Sequence, residues 1–193
     1  MEQKLVDITF DLLYKHGYCD TNIRDILKTA KATKGALYYH FESKHHLVMS
    51  AMTYYLEQIL KYHWVDPLES SEVPIDTLVE QIEAYLEMFR DTKSFLDIRH
   101  GCPLSNLILD MSDKDELFFE YLKSVYTKWH TCIEQALQKA QEQNQTHQTF
   151  NASEQAMFII SSLEGSIGSA KALNDIQILE KSIAILIRHI KGL

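Results

Sequence analysis

Apolar residues recur every three to four positions through most of this 193-residue chain, the spacing of helices with one buried face. Leu5, Ile8, Leu12 and Leu13 predict a helix over 4–16, with Gly17 as its stop. Thr21 stands where an N-cap is expected for a short second helix that turns Ile23, Ile26 and Leu27 inward. "AKAT" interrupts the pattern, and Thr33 is placed to cap a third helix running to Tyr39 or His40. Ser43 opens a fourth, longer helix, to about residue 62, with Leu47, Ala51, Tyr55 and Ile59/Leu60 on one side.

"HWVDPLESSEVP" (63–74) reads as a linker. Ile75, Leu78, Ile82, Tyr85, Leu86 and Phe89 then mark another helix, and Pro103 opens a short apolar one. Ser112 with Asp115 suggests a start for a helix over about 113–143. After the polar break "NQTHQTFN", two more helices are expected, over about 152–171 and 175–190. No internal repeat and no convincing strand interrupts this series, so the expected fold class is all-α.

Composition narrows the reading. Only six Gly and three Pro punctuate the chain, which suits long helices. Cys19, Cys102 and Cys132 form no CxxC pair, an arrangement suited to a reducing compartment. With no leader pattern at "MEQKLVDITF" and no apolar run near the ~20 residues of a membrane span, a cytoplasmic protein is expected. The net charge is −8. Residues 21–46 nevertheless hold Arg24, Lys28, Lys31, Lys34 and Lys44 against Asp25 and Glu42. The window is therefore +3 and the remainder −11, the asymmetry expected of an acidic body that meets phosphates through one small region.

"KATKGALYYHFESKHHL" (31–47) concentrates the chemistry. The second helix, a turn and the third helix make a helix-turn-helix, whose second helix enters the major groove by its N-terminal end. Thr33 and Lys34 stand at that end, where free amides and the helix dipole attract phosphate. Gly35 allows close backbone approach, while Leu37 and Phe41 face inward. Tyr38, Tyr39 and His40 reach outward, and Lys44 begins the next helix. Taken singly, a Tyr-Tyr pair is ordinary packing and each lysine an ordinary solvated charge.

The string "GYCDTNIRDILKTAKATKGALYYHFESKHHL" resembles the DNA-binding signature of the tetracycline-repressor (TetR) family of bacterial transcription regulators. Gly17, Tyr18, Thr21, Ile23, Ile26, Ala30, Thr33, Gly35, Leu37, Tyr38, His40, Phe41, Ser43, Lys44 and Leu47 carry the likeness, over about residues 4–50. The resemblance implies about nine helices. A DNA-binding domain at 1–47 would be joined by the fourth helix to a ligand-binding and dimerisation domain at 48–193. It implies DNA contacts by Thr21, Asn22, Thr33, Lys34, Gly35, Ala36, Tyr38, Tyr39, His40 and Lys44, with Ala36 and Tyr38 the candidates for base or thymine-methyl contact.

Three positions depart from the pattern. Lys31 replaces a turn glycine, Asn22 a Ser/Thr, and His45-His46 the acids that usually open the next helix. A left-handed Lys31 costs on the order of 1 kcal/mol; the alternative is a reshaped turn.

One helix-turn-helix reads one half-site, so a homodimer on a palindromic operator is expected. Ser161, Gly165, Gly168 and Ala172 lie roughly along one side of a helix and, with Ile183 and Ile187, form the expected dimer surface. The alternative is that these two helices close a monomer core. The effector pocket is expected between 75 and 140, with Trp64, Tyr85, Phe89, Phe95, Cys102, Met111, Phe118, Tyr121 and Trp129 as candidate wall residues for a hydrophobic or aromatic small molecule.

Cys102 has two readings: a buried small hydrophobe, or a thiol activated by Arg99, His100 and a helix start that senses oxidants or electrophiles. An enzyme is disfavoured by the lack of a phosphate loop, nucleophile elbow or HExxH. Adjacent histidines are poor joint ligands, so no metal and no cofactor is expected. The expected partners are operator DNA, a small-molecule effector and a second copy of the chain. A repressor released by its effector is the expected function.

Overall fold

The computed structural model describes residues 1–193, and every element in it is helical. These are α1 (Glu2–Asp20), α2 (Ile23–Ala30), α3 (Lys34–His40), α4 (Lys44–Ile59), α5 (Asp66–Ser70), α6 (Pro74–Arg90), α7 (Pro103–Met111), α8 (Glu116–Glu142), α9 (Ala152–Leu173) and α10 (Ile176–Lys191). Between α4 and α5 the chain stays helical through a widened π turn, Leu60–Val65. Counting that run once gives nine helices, the expected number. No helix is long and apolar enough to cross a membrane.

The expected linker at 63–74 is therefore mostly helix, and only 71–73 lie between α5 and α6. Pro67 is the reason for the difference: a proline removes an amide and crowds the carbonyl four residues back, which ordinarily ends a helix. Widening the preceding turn absorbs it, with the Asp66 amide reaching back five residues to the Lys61 carbonyl.

The chain divides into two units. The first comprises Met1–Gln58 and Pro103–Lys123. It thus extends past the boundary expected at residue 47 and recruits a distant segment. Leu5, Val6 and Phe10 of α1, Ile26, Leu27 and Ala30 of α2, Leu37 of α3, and Leu47 and Ala51 of α4 form its core with Phe41. Leu37 is wholly buried, and removing such a side chain from water stabilises the fold by about 1.5–3 kcal/mol. The second unit comprises Ile59–Cys102 and Ser124–Leu193, with α10 packed on both α9 and α6. Its fully buried side chains include Leu78, Ile82 and Ile133.

The caps follow local chemistry. Asn22, not Thr21, caps α2: its side-chain oxygen accepts from the Asp25 amide at 3.0 Å. Thr21 is buried and donates its hydroxyl to the Gly17 carbonyl at 2.7 Å. Lys31 ends α2 in the left-handed conformation (φ 53°), so the glycine-type turn is kept despite the side chain. Thr33 caps α3, accepting from the Ala36 amide at 3.2 Å. Asp115 rather than Ser112 opens α8, its Oδ1 accepting from the amides of Leu117 and Phe118.

Candidate nucleic-acid interface

α3 has two faces. Leu37 is fully buried, and its neighbours Tyr38 and Tyr39 are 50% and 84% exposed. Thr33, Lys34 and Gly35 lie at the helix start, where Lys34 and Gly35 are exposed, and Ala36 follows them in the first turn. A side chain as large as Tyr39 left almost wholly in water contributes little to the core and is available to an external partner. The α3 start offers backbone amides and one lysine, and the tyrosines offer phenols beside them. Amides, an ammonium and phenols are the groups that phosphate and base-edge contacts use.

The remaining expected contacts are placed differently. His40 is turned toward Glu2, with Nδ1 3.5 Å from the carboxylate, and its ring meets Tyr39 edge-on. Asn22 is occupied by its cap and by a bond from its amide to Asp25. Thr21 is buried, so it is a structural residue and offers no surface to DNA. Lys44 donates its ammonium to the Tyr18 carbonyl at 2.7 Å and lies 4.1 Å above the Tyr18 ring. Burial lowers its pKa, opposed by the nearby Cys19 and Asp110. The lysine expected to await a phosphate is thus already engaged with the end of α1.

The expected pocket residues separate between the units. Trp64, Tyr85, Phe89, Cys102 and Trp129 belong to the second unit and are all buried. Trp64 meets Trp129 at 5.2 Å and Tyr85 at 5.8 Å between ring centroids, and Tyr85 meets Phe89 at 5.4 Å. His63 joins them, its Nε2 2.9 Å from the Gln81 carbonyl, and desolvation lowers its pKa. The Trp129 indole N–H is buried without a hydrogen-bond partner.

Met111, Phe118 and Tyr121 belong instead to the first unit. Phe118 packs edge-on against Tyr18 and over His45, in the core of the DNA-reading helices. Phe95 is 42% exposed, unlike the buried rings of the cluster. A groove of about 370 Å³ runs beside Val65, Glu69, Thr131 and Cys132, none of which the periodicity singles out.

Cys102 is buried and accepts from the Tyr85 hydroxyl, with O···S at 3.6 Å. Arg99, expected beside it, is instead taken up by Asp97, whose carboxyl the guanidinium holds down at about 2. The Cys132 thiol is pushed up to about 12 by burial.

On α9, Ser161, Gly168 and Ala172 are exposed along with Gly165, and a Cβ built on either glycine would meet nothing within 4 Å. Ile187 is half-buried. Ile183 is buried in its own chain and is a core residue rather than a surface one. The apolar residues that sequence reasoning missed are Met157, Phe158, Leu173 and Ile185, each 46–69% exposed. Helical periodicity alone could have placed Met157 and Phe158 one turn before Ser161.

Known proteins share this arrangement. Residues 5–51 match the pattern of bacterial regulatory proteins of the tetR family, and residues 78–186 match the tetracyclin repressor-like C-terminal domain. A helix-turn-helix transcriptional regulator in the lacX 3′ region of Lactococcus lactis is 28% identical over 189 residues, 96% of this chain and 90% of that protein. The transcriptional repressor DhaR of a Mycobacterium species is 23% identical over 96% of this chain and 90% of its own length. Among solved structures, a TetR regulator of Chloroflexus aurantiacus shares the fold at TM-score 0.86, with 24% identity over 98% of this chain and 93% of that one. With both halves matched and the helix-turn-helix in place, the chain belongs to the TetR family of DNA-binding transcription regulators.

Proposed function

We propose that the protein is a homodimeric repressor that holds a palindromic operator through two copies of α3 and leaves it when a small aromatic molecule binds the second unit. The observation that carries this reading is the exposed start of α3, with Tyr38 and Tyr39 beside it on an otherwise acidic chain. Thr33, Lys34 and Gly35 fix register on phosphates; Ala36 and Tyr38 read base edges. The exposed small and apolar stripe from Met157 to Leu173 supports self-association, which would pair two half-sites about one helical turn apart. The name of the repressor DhaR supports repression over activation.

The aromatic cluster supports the effector class. It combines four large rings with a buried indole N–H that lacks an acceptor, a group whose desolvation costs about 1–3 kcal/mol until a ligand oxygen or nitrogen satisfies it. Effector binding would favour the dimer geometry that mismatches the operator, which requires different affinities for the two states.

Selection of bound duplexes from a randomised pool at near-physiological salt, with Lys34→Ala/Tyr39→Ala as control, tests the reading. A palindrome recovered by the wild type and lost by the control is the expected result. Enrichment of a single half-site, or none above the control, would overturn it. Reporter transcription from the recovered palindrome then distinguishes repression from activation.

A further inference from the structure

Residues 103–123 belong to the DNA-reading unit, although nothing in the helix-turn-helix itself calls for them. Two carboxylates in this segment hold the other helices. The chain breaks its helix at Gly17 (φ +78°), which turns the next amide aside, and Asp110 Oδ2 accepts that Tyr18 N–H at 2.8 Å. A Cβ at position 17 would stand 3.1 Å from the same oxygen, so glycine here permits both the turn and the approach. The second oxygen of Asp110 takes the Lys114 ammonium at 2.7 Å. Burial alone would raise the Asp110 pKa, but Lys114, the Tyr18 amide and Lys44 together outweigh it and keep the group ionised.

Asp115 works in the same way at the start of α4. Its Oδ1 caps α8, while its Oδ2 lies 3.2 Å from His45 Nε2, in the first turn of the helix that follows α3. The His45 ring lies tilted against Phe118 at 4.5 Å between centroids, and Phe118 also meets Tyr18. Tyr18 in turn carries the Lys44 ammonium on its carbonyl and ring. The ends of α1 and α4 that flank the recognition helix are thus fastened to the α7–α8 corner at two points.

We infer that Asp110 and Asp115 are positioning residues for operator recognition, setting where α3 is presented without touching DNA. Their partners support this: carboxylates repel phosphate, and both oxygens of each are already engaged within the unit. The inference rests on α3 being the reading helix.

The test measures binding to the selected operator and to a scrambled duplex across a salt series. Asp115→Asn keeps a cap acceptor for α8 but removes the charge facing His45. Paired with His45→Gln, each substitution is expected to weaken operator binding about fivefold or more. The double variant should be no worse than the weaker single. Asp110→Ala should lose a similar factor, and Asp110→Asn, which retains an oxygen for the Tyr18 amide, should recover most of it. Scrambled-duplex affinity and the salt slope should stay at wild-type values, because no phosphate contact is lost. Thermal unfolding run in parallel identifies any variant that fails to fold, and Asp115→Asn, His45→Gln and their double variant decide the outcome.

Unchanged operator binding in Asp115→Asn and His45→Gln would overturn the inference. So would a changed salt slope, or equal loss on both duplexes. A wild type that binds no operator would instead sink the reading of α3.

Discussion

The exposed face of α3 and the aromatic cluster of the second unit are both rich in large rings, yet they pose opposite problems. On α3, Tyr39 is 84% exposed beside a fully buried Leu37, so the side chains turned to solvent and those that hold the helix are different residues. In the cluster, Trp64, Tyr85, Phe89 and Trp129 are each at most 8% exposed. The groups proposed to meet a ligand there are the same ones that pack the core. Surface function can be separated from stability by single substitutions. Buried function cannot, except through polar atoms that packing does not need.

The sharpest way to break this comparison is to truncate one ring on each side. Trp64→Ala should cost about 3–5 kcal/mol of stability, as loss of a buried aromatic side chain does. Tyr39→Ala should stay within about 0.5 kcal/mol of wild type, like other surface substitutions, while operator binding falls at least tenfold. Chemical denaturation and operator titration on the same preparations measure both. A Tyr39→Ala protein that unfolds as easily as Trp64→Ala would show that the two faces of α3 are not independent.

Trp129→Phe sharpens the buried side. It removes an indole N–H with no partner, whose desolvation cost of about 1–3 kcal/mol opposes the loss of ring area. Stability should therefore remain within about 1 kcal/mol of wild type, far above that of Trp64→Ala. A loss as large as that of Trp64→Ala would mean that the indole is needed only for packing.

The uneven legibility of the two regions has the same origin. The helices could be read because burial of one face imposes a period of 3.6, and α3 could be read because its cap, glycine and tyrosines are all local. Thr21 was misplaced because a threonine before a helix serves equally as a cap or as a buried hydroxyl bonded one turn back, and only Asn22 next to it decides. Ile183 and Phe118 were misassigned because an apolar residue declares that it is buried, not in what company. Asp110 was invisible in its role: the Tyr18 amide that it holds lies 92 positions away, and no periodicity links them.

His63 offers a pH test of the cluster. Desolvation lowers its pKa, partly opposed by its bond to the Gln81 carbonyl. A group whose folded pKa is depressed binds its proton more readily when unfolded, so stability is full above the unfolded value near 6.5 and declines as pH falls below it. Wild type should lose more stability than His63→Gln between pH 7 and pH 5, and Trp64 fluorescence, with its ring 5.0 Å from the imidazole, should follow the loss. Identical pH profiles for the two proteins would show that His63 does not couple the cluster to pH.

The smallest effect lies back beside α3, at Lys31. Its φ of 53° ends α2 in the region that glycine occupies without cost, while its own amide bonds to the Lys28 carbonyl at 3.3 Å and that of Ala32 to Leu27 at 3.0 Å. The turn is therefore the glycine-type closure with a lysine forced into it. Lys31→Gly relieves about 1 kcal/mol of left-handed strain, but the looser unfolded chain takes back roughly 0.4–1 kcal/mol. The net gain in stability should be a few tenths of a kcal/mol. Operator binding should nevertheless weaken slightly and lose salt dependence, because an exposed cation next to the reading helix is removed. A lysine that opposes its own fold yet strengthens DNA binding would place strain and function at one surface residue, where α3 keeps them apart.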